Sequence, residues 1–207
     1  MMEGEVESLR NMLVEAAAES DDELLEKYFN DEELKILAET KTGVAHCPIS
    51  NMKLSSGICR IPEMLKLRIP VGLAVDGSAS NDGSNLLEEL RVAYLLHRLN
   101  SSSQAPDGYE LLKLATRGSA AVLGRSDIGS LEPGKAGDLF LIRKNRLELV
   151  GADLDPKSML GTVGFKGAVD YTVVNGKIVV RNGKLTGIDE EKAVYEGKRA
   201  VNEYLNR

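Results

Sequence analysis

The chain has 207 residues, 43% hydrophobic and 28% charged, with 26 Lys and Arg against 32 Asp and Glu for a formal net charge of −6. That length can bury a sizeable core, while the acidic balance argues against a nucleic-acid or anionic-membrane surface, which needs clustered Lys and Arg to displace counterions. Two cysteines, Cys47 and Cys59, are too few for a disulfide framework or a thiolate zinc site, no apolar run approaches the ~20 residues of a membrane span, and the acidic start Met1-Met2-Glu3-Gly4-Glu5 lacks a signal-peptide pattern, so the expected compartment is the cytoplasm.

Residues 1–30 read as a separate helical segment. Leu9, Met12, Leu13, Ala16, Ala17, Leu24, Leu25 and Tyr28 recur at helical spacing, giving one amphipathic helix over 8–29 or two broken near Ser20-Asp21-Asp22. A further helix covers 32–39. The runs Gly43-Val44-Ala45-His46-Cys47-Pro48-Ile49-Ser50-Asn51 and Val71-Gly72-Leu73-Ala74-Val75-Asp76-Gly77-Ser78-Ala79-Ser80-Asn81 then end abruptly in polar, turn-forming residues. Buried parallel strands have this form when their carboxyl ends open on an active site. A short helix is predicted over 61–67. Longer ones follow over 85–99 and 107–123, with capping-box spacing at Asn85–Glu88 and Asp107–Glu110 and with Gly124 suited to a left-handed C′ position. From Gly137 the signals turn to strands over 138–143, 171–174 and 177–181, with Asn175-Gly176 and Asn182-Gly183 as turns. Residues 31–125 are thus α/β, 126–188 mostly β, and 189–207 a C-terminal helix.

Asp76, at the opening of the second strand, can act on a substrate or simply cap the turn that follows. Ser50, Asn51, Ser78, Ser80 and Asn81 are placed on the loops after the strands, the active face of a barrel, although Ser and Asn favour turns anywhere. His46 suits a hydrogen bond to substrate better than metal ligation, and His97, beside Leu95, Leu96 and Leu99 in a helix, reads as packing. The segment Gly129-Ser130-Leu131-Glu132-Pro133-Gly134-Lys135 has phosphate-loop spacing, but Ala136 stands where a magnesium-binding Ser or Thr is needed and Pro133 removes a backbone donor, so it reads as a turn.

Three motifs in order, His46-Cys47-Pro48-Ile49-Ser50-Asn51-Met52-Lys53-Leu54, Asp76-Gly77-Ser78-Ala79-Ser80-Asn81 and Gly129 to Leu139, resemble those of an amidohydrolase-superfamily aminohydrolase. The resemblance is to the C-terminal half of the 8-oxoguanine deaminase and hydroxyatrazine or chlorotriazine hydrolase group, over residues 31–207. It implies an α/β fold: the last two strands and helices of a partial (β/α)8 barrel, a C-terminal β-sandwich portion and flanking helices, with the His46 strand as seventh and the Asp76 strand as eighth. It also implies a metal-dependent C–N hydrolase, using zinc or iron, that deaminates or dechlorinates a purine, pyrimidine or triazine ring. Asp76 would bind the metal and handle the proton of the attacking water, and His46, Ser50, Asn51, Ser80 and Asn81 would contact the small heterocyclic substrate.

That family takes its other ligands from a His-x-His pair and two further histidines. This sequence holds two histidines in all, His46 and His97. A barrel alone needs ~250 residues, so the expectation is a truncated unit that holds no zinc or iron and is inactive by itself, with a non-catalytic remnant or oligomerising scaffold as the alternative. Strands lacking neighbours invite pairing, so a homo-oligomer is expected. Residues Leu9 to Leu34 are also similar to a helical stretch of elongation factor G, which implies a foreign origin for residues 1–30.

Overall fold

A computed structural model describes residues 30–206, and the helix expected over 8–29 lies outside them. The chain forms two compact units: residues 30–130 with Gly151–Phe165, and Leu131–Val150 with residues 166–206.

In the first unit, α1 (Asp31–Thr40) starts from Asn30, whose side chain accepts from the Glu32 and Glu33 amides while the Glu33 carboxylate accepts from the Asn30 amide. Leu34 and Leu37 bury its inner face. β1 (Val44–His46) pairs in parallel with β2 (Val71–Leu73), aligning Val44 with Val71, Ala45 with Gly72 and His46 with Leu73. Between the strands run α2 (Pro48–Leu54) and α3 (Ile61–Lys66), each with a proline in its first two positions, where the missing amide has no helical partner to lose. Ser50 and Asn51 therefore lie on a helix, not on the loop that their turn propensity suggested. Buried Ile61, Met64, Ile69, Val71, Leu73, Leu90 and Leu111 form the core around the pair, each worth about 1.5–3 kcal/mol of burial.

α4 (Leu86–Ser101) is capped by Asn85, but its side chain accepts from the Leu87 amide in place of the expected box with Glu88. α5 (Gly108–Lys113) does carry its box, between Asp107 and Glu110. The helix expected to run evenly to Leu123 instead widens into a π turn over Leu114–Gly118 before closing as α6 (Ser119–Val122), with Gly124 left-handed at φ 65°. The physical reason is β2. A Cβ on Gly118 would run into the Val71 carbonyl, one on Gly72 would lie 2.7 Å from Ser119 Cα, and Ser119 Oγ donates to the Leu73 carbonyl at 3.0 Å. The widened turn lays helix backbone against the outer edge of the strand and supplies the donor that a neighbouring strand would otherwise provide. α7 (Met159–Thr162) is tied to α4 by the Arg91 guanidinium, which donates to the Gly161 and Thr162 carbonyls.

Among the described residues, no strand pairs with the outer edge of β1. Val44 N donates to Pro70 O and Ala74 N to His46 O, so residues 44 and 46 direct their backbone groups to β2 and those of Ala45 face away. Ala45 is exposed and borders a groove of about 1310 Å³ lined also by Val44, His46, Cys47, Asn51 and Leu96. Ser119 supplies one side-chain donor on the β2 edge, at the Leu73 carbonyl.

In the second unit, β3 (Leu139–Leu141), β4 (Tyr171–Val174), β5 (Lys177–Arg181) and β6 (Lys184–Leu185) form an antiparallel sheet in that order. Both Asn-Gly pairs make its hairpins, with Asn175 and Gly176 at φ 48° and 76° and Asn182 and Gly183 at 51° and 74°, the double left-handed turn whose twist matches the strands. β3 is shorter than the apolar run because its flanks bond elsewhere: Asp138 Oδ1 accepts from the Asn175 amide at 2.6 Å and Asp170 Oδ2 from the Arg143 amide at 2.8 Å. α8 (Glu190–Leu205) is capped by Asp189 and buries no residue. A partial barrel-like parallel pair and a separate antiparallel sheet, both with helices, match the expected fold class. No helix among the described residues is long and apolar enough to cross a membrane.

Candidate active site at the strand ends

Three residues beyond β2, Asp76 turns left-handed at φ 65°, a region that Asp tolerates better than most side chains. Its Oδ2 accepts from Ser50 Oγ at 2.7 Å and its Oδ1 from the Gly77 amide at 2.7 Å. These bonds, Ser50 first, then Gly77 and the Ser80 hydroxyl, hold the carboxyl below its ordinary range. The Ser80 and Asn81 amides close the turn on the Gly77 carbonyl at 3.1 and 2.9 Å, and Asn81 Nδ2 reaches back to the Val75 carbonyl at 2.8 Å. Asp76, Ser50, Ser80 and Asn81 are thus brought together. Asn51 is not, and lines the groove beside β1.

Glu89 joins this cluster and was missed by sequence reasoning. Its Oε2 accepts from the Ile49 amide at 3.1 Å and its Oε1 from Asn81 Nδ2. It is 0% exposed, and burial pushes its carboxyl above the ordinary range while the two donors pull it down. A signal existed: Glu89, Ala93 and His97 recur every fourth residue on one buried face of α4. The Cys47 thiol, at the start of α2, is pushed up to about 11 by burial and then by Asp76 and Glu89, which leaves it protonated and unreactive.

His46 makes its side-chain contact with His97. Its Nε2 lies 3.0 Å from Nε2 of His97, with ring centroids 5.0 Å apart, and the two residues are 2% and 0% exposed. One Nε2 must donate and the other accept, so the rings are neutral and hold opposite tautomers. Among the described residues neither Nδ1 has a partner. Burial, with the His97 ring second, pulls His46 down to about 3, and burial pulls His97 down to about 4 against a small upward pull from Glu63. The reading of His97 as packing holds for its burial but omitted this bond.

Among the described residues no three His, Cys, Asp or Glu come together so as to hold a metal ion. The histidines face each other and Asp76 is bonded to a hydroxyl and an amide, so the residues present do not fit a complete metal centre.

The model of the amidohydrolase family matches residues 12–179. The chain belongs to that family. Hydroxydechloroatrazine ethylaminohydrolase of Pseudomonas sp. (strain ADP) is 46% identical over 165 residues, 78% of this chain and 34% of that protein. 8-Oxoguanine deaminase of Pseudomonas aeruginosa is 46% identical over 162 residues, 78% of this chain and 36% of that protein. The crystal structure of atrazine chlorohydrolase TrzN from Arthrobacter aurescens TC1 complexed with zinc superposes with a TM-score of 0.77 at 37% identity, over 81% of this chain and 38% of that one. The chain therefore spans little more than a third of the length of these relatives. The family match begins at residue 12, inside the stretch that resembles elongation factor G, so that resemblance gains no support and the stretch reads as amidohydrolase sequence.

Proposed function

We propose that this chain carries the Asp76 portion of a metal-dependent amidohydrolase that hydrolyses a C–N or C–Cl bond of a purine, pyrimidine or triazine ring. In the deamination, water adds to the ring carbon, the C–N bond breaks, and the amine leaves with a proton. The observation that carries the reading is Asp76 itself, an exposed carboxylate at a strand end, kept ionised by Ser50 and Gly77. A carboxylate with a lowered pKa is a weak base alone and a good partner for a cation, which favours metal binding over unaided proton abstraction. The other ligands of such a centre come from outside the described residues. Ser80 borders the carboxylate and offers a hydroxyl to a polar ring, whereas Ser50 and Asn81, 2% and 4% exposed, are spent on the carboxylate and its turn. Asn51 reaches a substrate only through the groove side of β1, and His46, buried against His97, presents no ring nitrogen to one.

The test is replacement. This chain is substituted for its matched segment in the Pseudomonas sp. hydroxydechloroatrazine ethylaminohydrolase, and the chimera is expected to retain that enzyme's hydrolysis and to lose it with Asp76→Asn. The chain by itself releases no measurable ammonia from 8-oxoguanine, isoguanine, cytosine or hydroxyatrazine. An active chimera that keeps its rate with Asp76→Asn overturns the reading.

The outer edge of β1, with which no described strand pairs, favours a second reading, an oligomerising scaffold. Among the described residues no strand pairs with the outer edge at Ala45, whose carbonyl accepts from the Cys47 thiol at 3.9 Å, and an exposed strand edge of this kind invites another strand. Sedimentation then shows at least two chains at micromolar concentration. Ala45→Pro removes only the outward amide, leaves the bonds of residues 44 and 46 to β2, and returns the protein to a 22.5 kDa monomer. A wild-type monomer at that concentration rules the scaffold out.

A further inference from the structure

We infer that Glu89 is a positioning residue that holds Asp76 in place from both sides, a role that rests on the reading of Asp76 as the reacting carboxylate. Two chains of contact start from its two oxygens. From Oε1 the path runs through Asn81 Nδ2 to the Val75 carbonyl, the peptide that enters Asp76. From Oε2 it runs through the Ile49 amide to Ser50, the next residue, whose hydroxyl bonds Asp76 Oδ2. One arm therefore sets the backbone of Asp76 and the other sets its side chain. The loop after β1 and the turn after β2 share no backbone hydrogen bond with each other beyond the strand pairing, which ends at Ala74 N to His46 O. Glu89, fixed on the sixteen-residue helix α4, is the brace between them.

The choice of a carboxylate bears this out physically. Glu89 lies on the same buried face as Ala93, where an apolar side chain would avoid the cost of burying a charged or polar group. What Glu alone supplies is two acceptors side by side for two donors from separate segments. Gln presents one acceptor and one donor, so either Ile49 N or Asn81 Nδ2 must then face an NH2 group. The left-handed backbone of Asp76 makes the brace consequential, since a residue in that region reverts to an extended conformation when its surroundings release it.

The experiment uses the full chain at neutral pH and reads two quantities, the carboxyl carbon shift of Asp76 and residue-resolved amide exchange. Glu89→Gln is expected to move the Asp76 carboxyl signal in the same direction as Ser50→Ala, and to speed exchange at Ile49, Gly77 and Gly83 by about tenfold or more while Gly72 in β2 keeps its protection. Leu90→Ala, a neighbour on α4 that empties core volume without touching either arm, is expected to lower the melting temperature and leave the Asp76 signal unmoved. Should Glu89→Gln fail to fold, Asn81→Ala cuts the backbone arm alone, and it should release Gly77 while Ile49 stays protected. If Glu89→Gln or Asn81→Ala lowers the melting temperature as Leu90→Ala does but leaves the Asp76 signal in place, Glu89 is a core residue and the inference is wrong. Failure of the catalytic reading shows separately, as an active chimera indifferent to Asp76→Asn.

Discussion

Asp76 is exposed and accepts bonds from Ser50 and Gly77, whereas His46 and His97 are buried and share one bond between them, their Nδ1 atoms unpartnered among the described residues. The first cluster is built to hold a negative charge, and its donors point at the carboxylate. The second is built to hold none, because burial makes a proton on either ring costly and the pull of Glu63 on His97 does not offset it. His46 and Ser50 stand four residues apart in one motif, and the pleat of β1 followed by the first turn of α2 sends them to different clusters. The difference teaches that polar residues of a single motif need not share a site. Acid should therefore damage the interior of this protein before it touches the carboxylate.

That contrast is broken most directly by pH. Both histidines are held below their ordinary value of 6.5, so the folded state refuses protons that the unfolded chain accepts. Stability is full above pH 6.5 and falls as pH drops from there toward about 4 and 3. Linkage places the loss between pH 7 and pH 5 at about 2 kcal/mol per histidine, measured by denaturant unfolding at each pH. His97→Leu should halve the slope. An unfolding free energy flat across that range contradicts a neutral buried pair.

The next effect belongs to the brace. Glu89→Gln leaves one buried donor facing another, which costs about 2 kcal/mol at pH 7 by denaturant midpoint, and the loss persists at all pH values where His46 and His97 are neutral. A neutral or stabilising result would show that Glu89 makes no bond worth its burial.

The smallest effect sharpens the carboxylate side. Ser50→Ala removes the largest cause of the lowered Asp76 carboxyl, so protonation of Asp76, followed by its carboxyl carbon shift, begins at higher pH. A lowered carboxylate contributes stability above its unfolded value that is lost as pH falls through its folded one, so the variant gives up part of a contribution that solvent screening at this exposed group keeps small. Ser119→Ala offers the matching test on the edge of β2, where the Leu73 carbonyl loses its donor for about 1 kcal/mol.

Much of the fold was legible locally. Asn175-Gly176 and Asn182-Gly183 demanded left-handed pairs and so hairpins, Asp107 and Glu110 formed their box, and the apolar runs before His46 and Asp76 became adjacent parallel strands. The turns and the box depend on residues within a turn or two of one another, while the pairing of Val44 with Val71 joins segments far apart in the chain. The candidate site was legible in part: Asp76, Ser80 and Asn81 lie within six residues and close one turn, while Ser50 reaches Asp76 across 26 positions and Ile49 reaches Glu89 across 40. Turn propensity could place Ser50 near a strand end, yet it could not show that Pro48 starts a helix there and aims the hydroxyl at a carboxylate.

By itself the sequence determined the order and type of the elements, the family, and the shortage of histidines for a metal centre, because propensity, spacing and composition are properties of the chain read in one dimension. Only the tertiary structure decided that His46 meets His97 across 51 positions, that Glu89 braces two loops, and that the π turn at Leu114–Gly118 lies along one edge of the parallel pair while no described strand pairs with the outer edge at Ala45. Hydrogen bonds and burial of that kind depend on which distant segments meet in space, and no local pattern in the chain encodes the meeting.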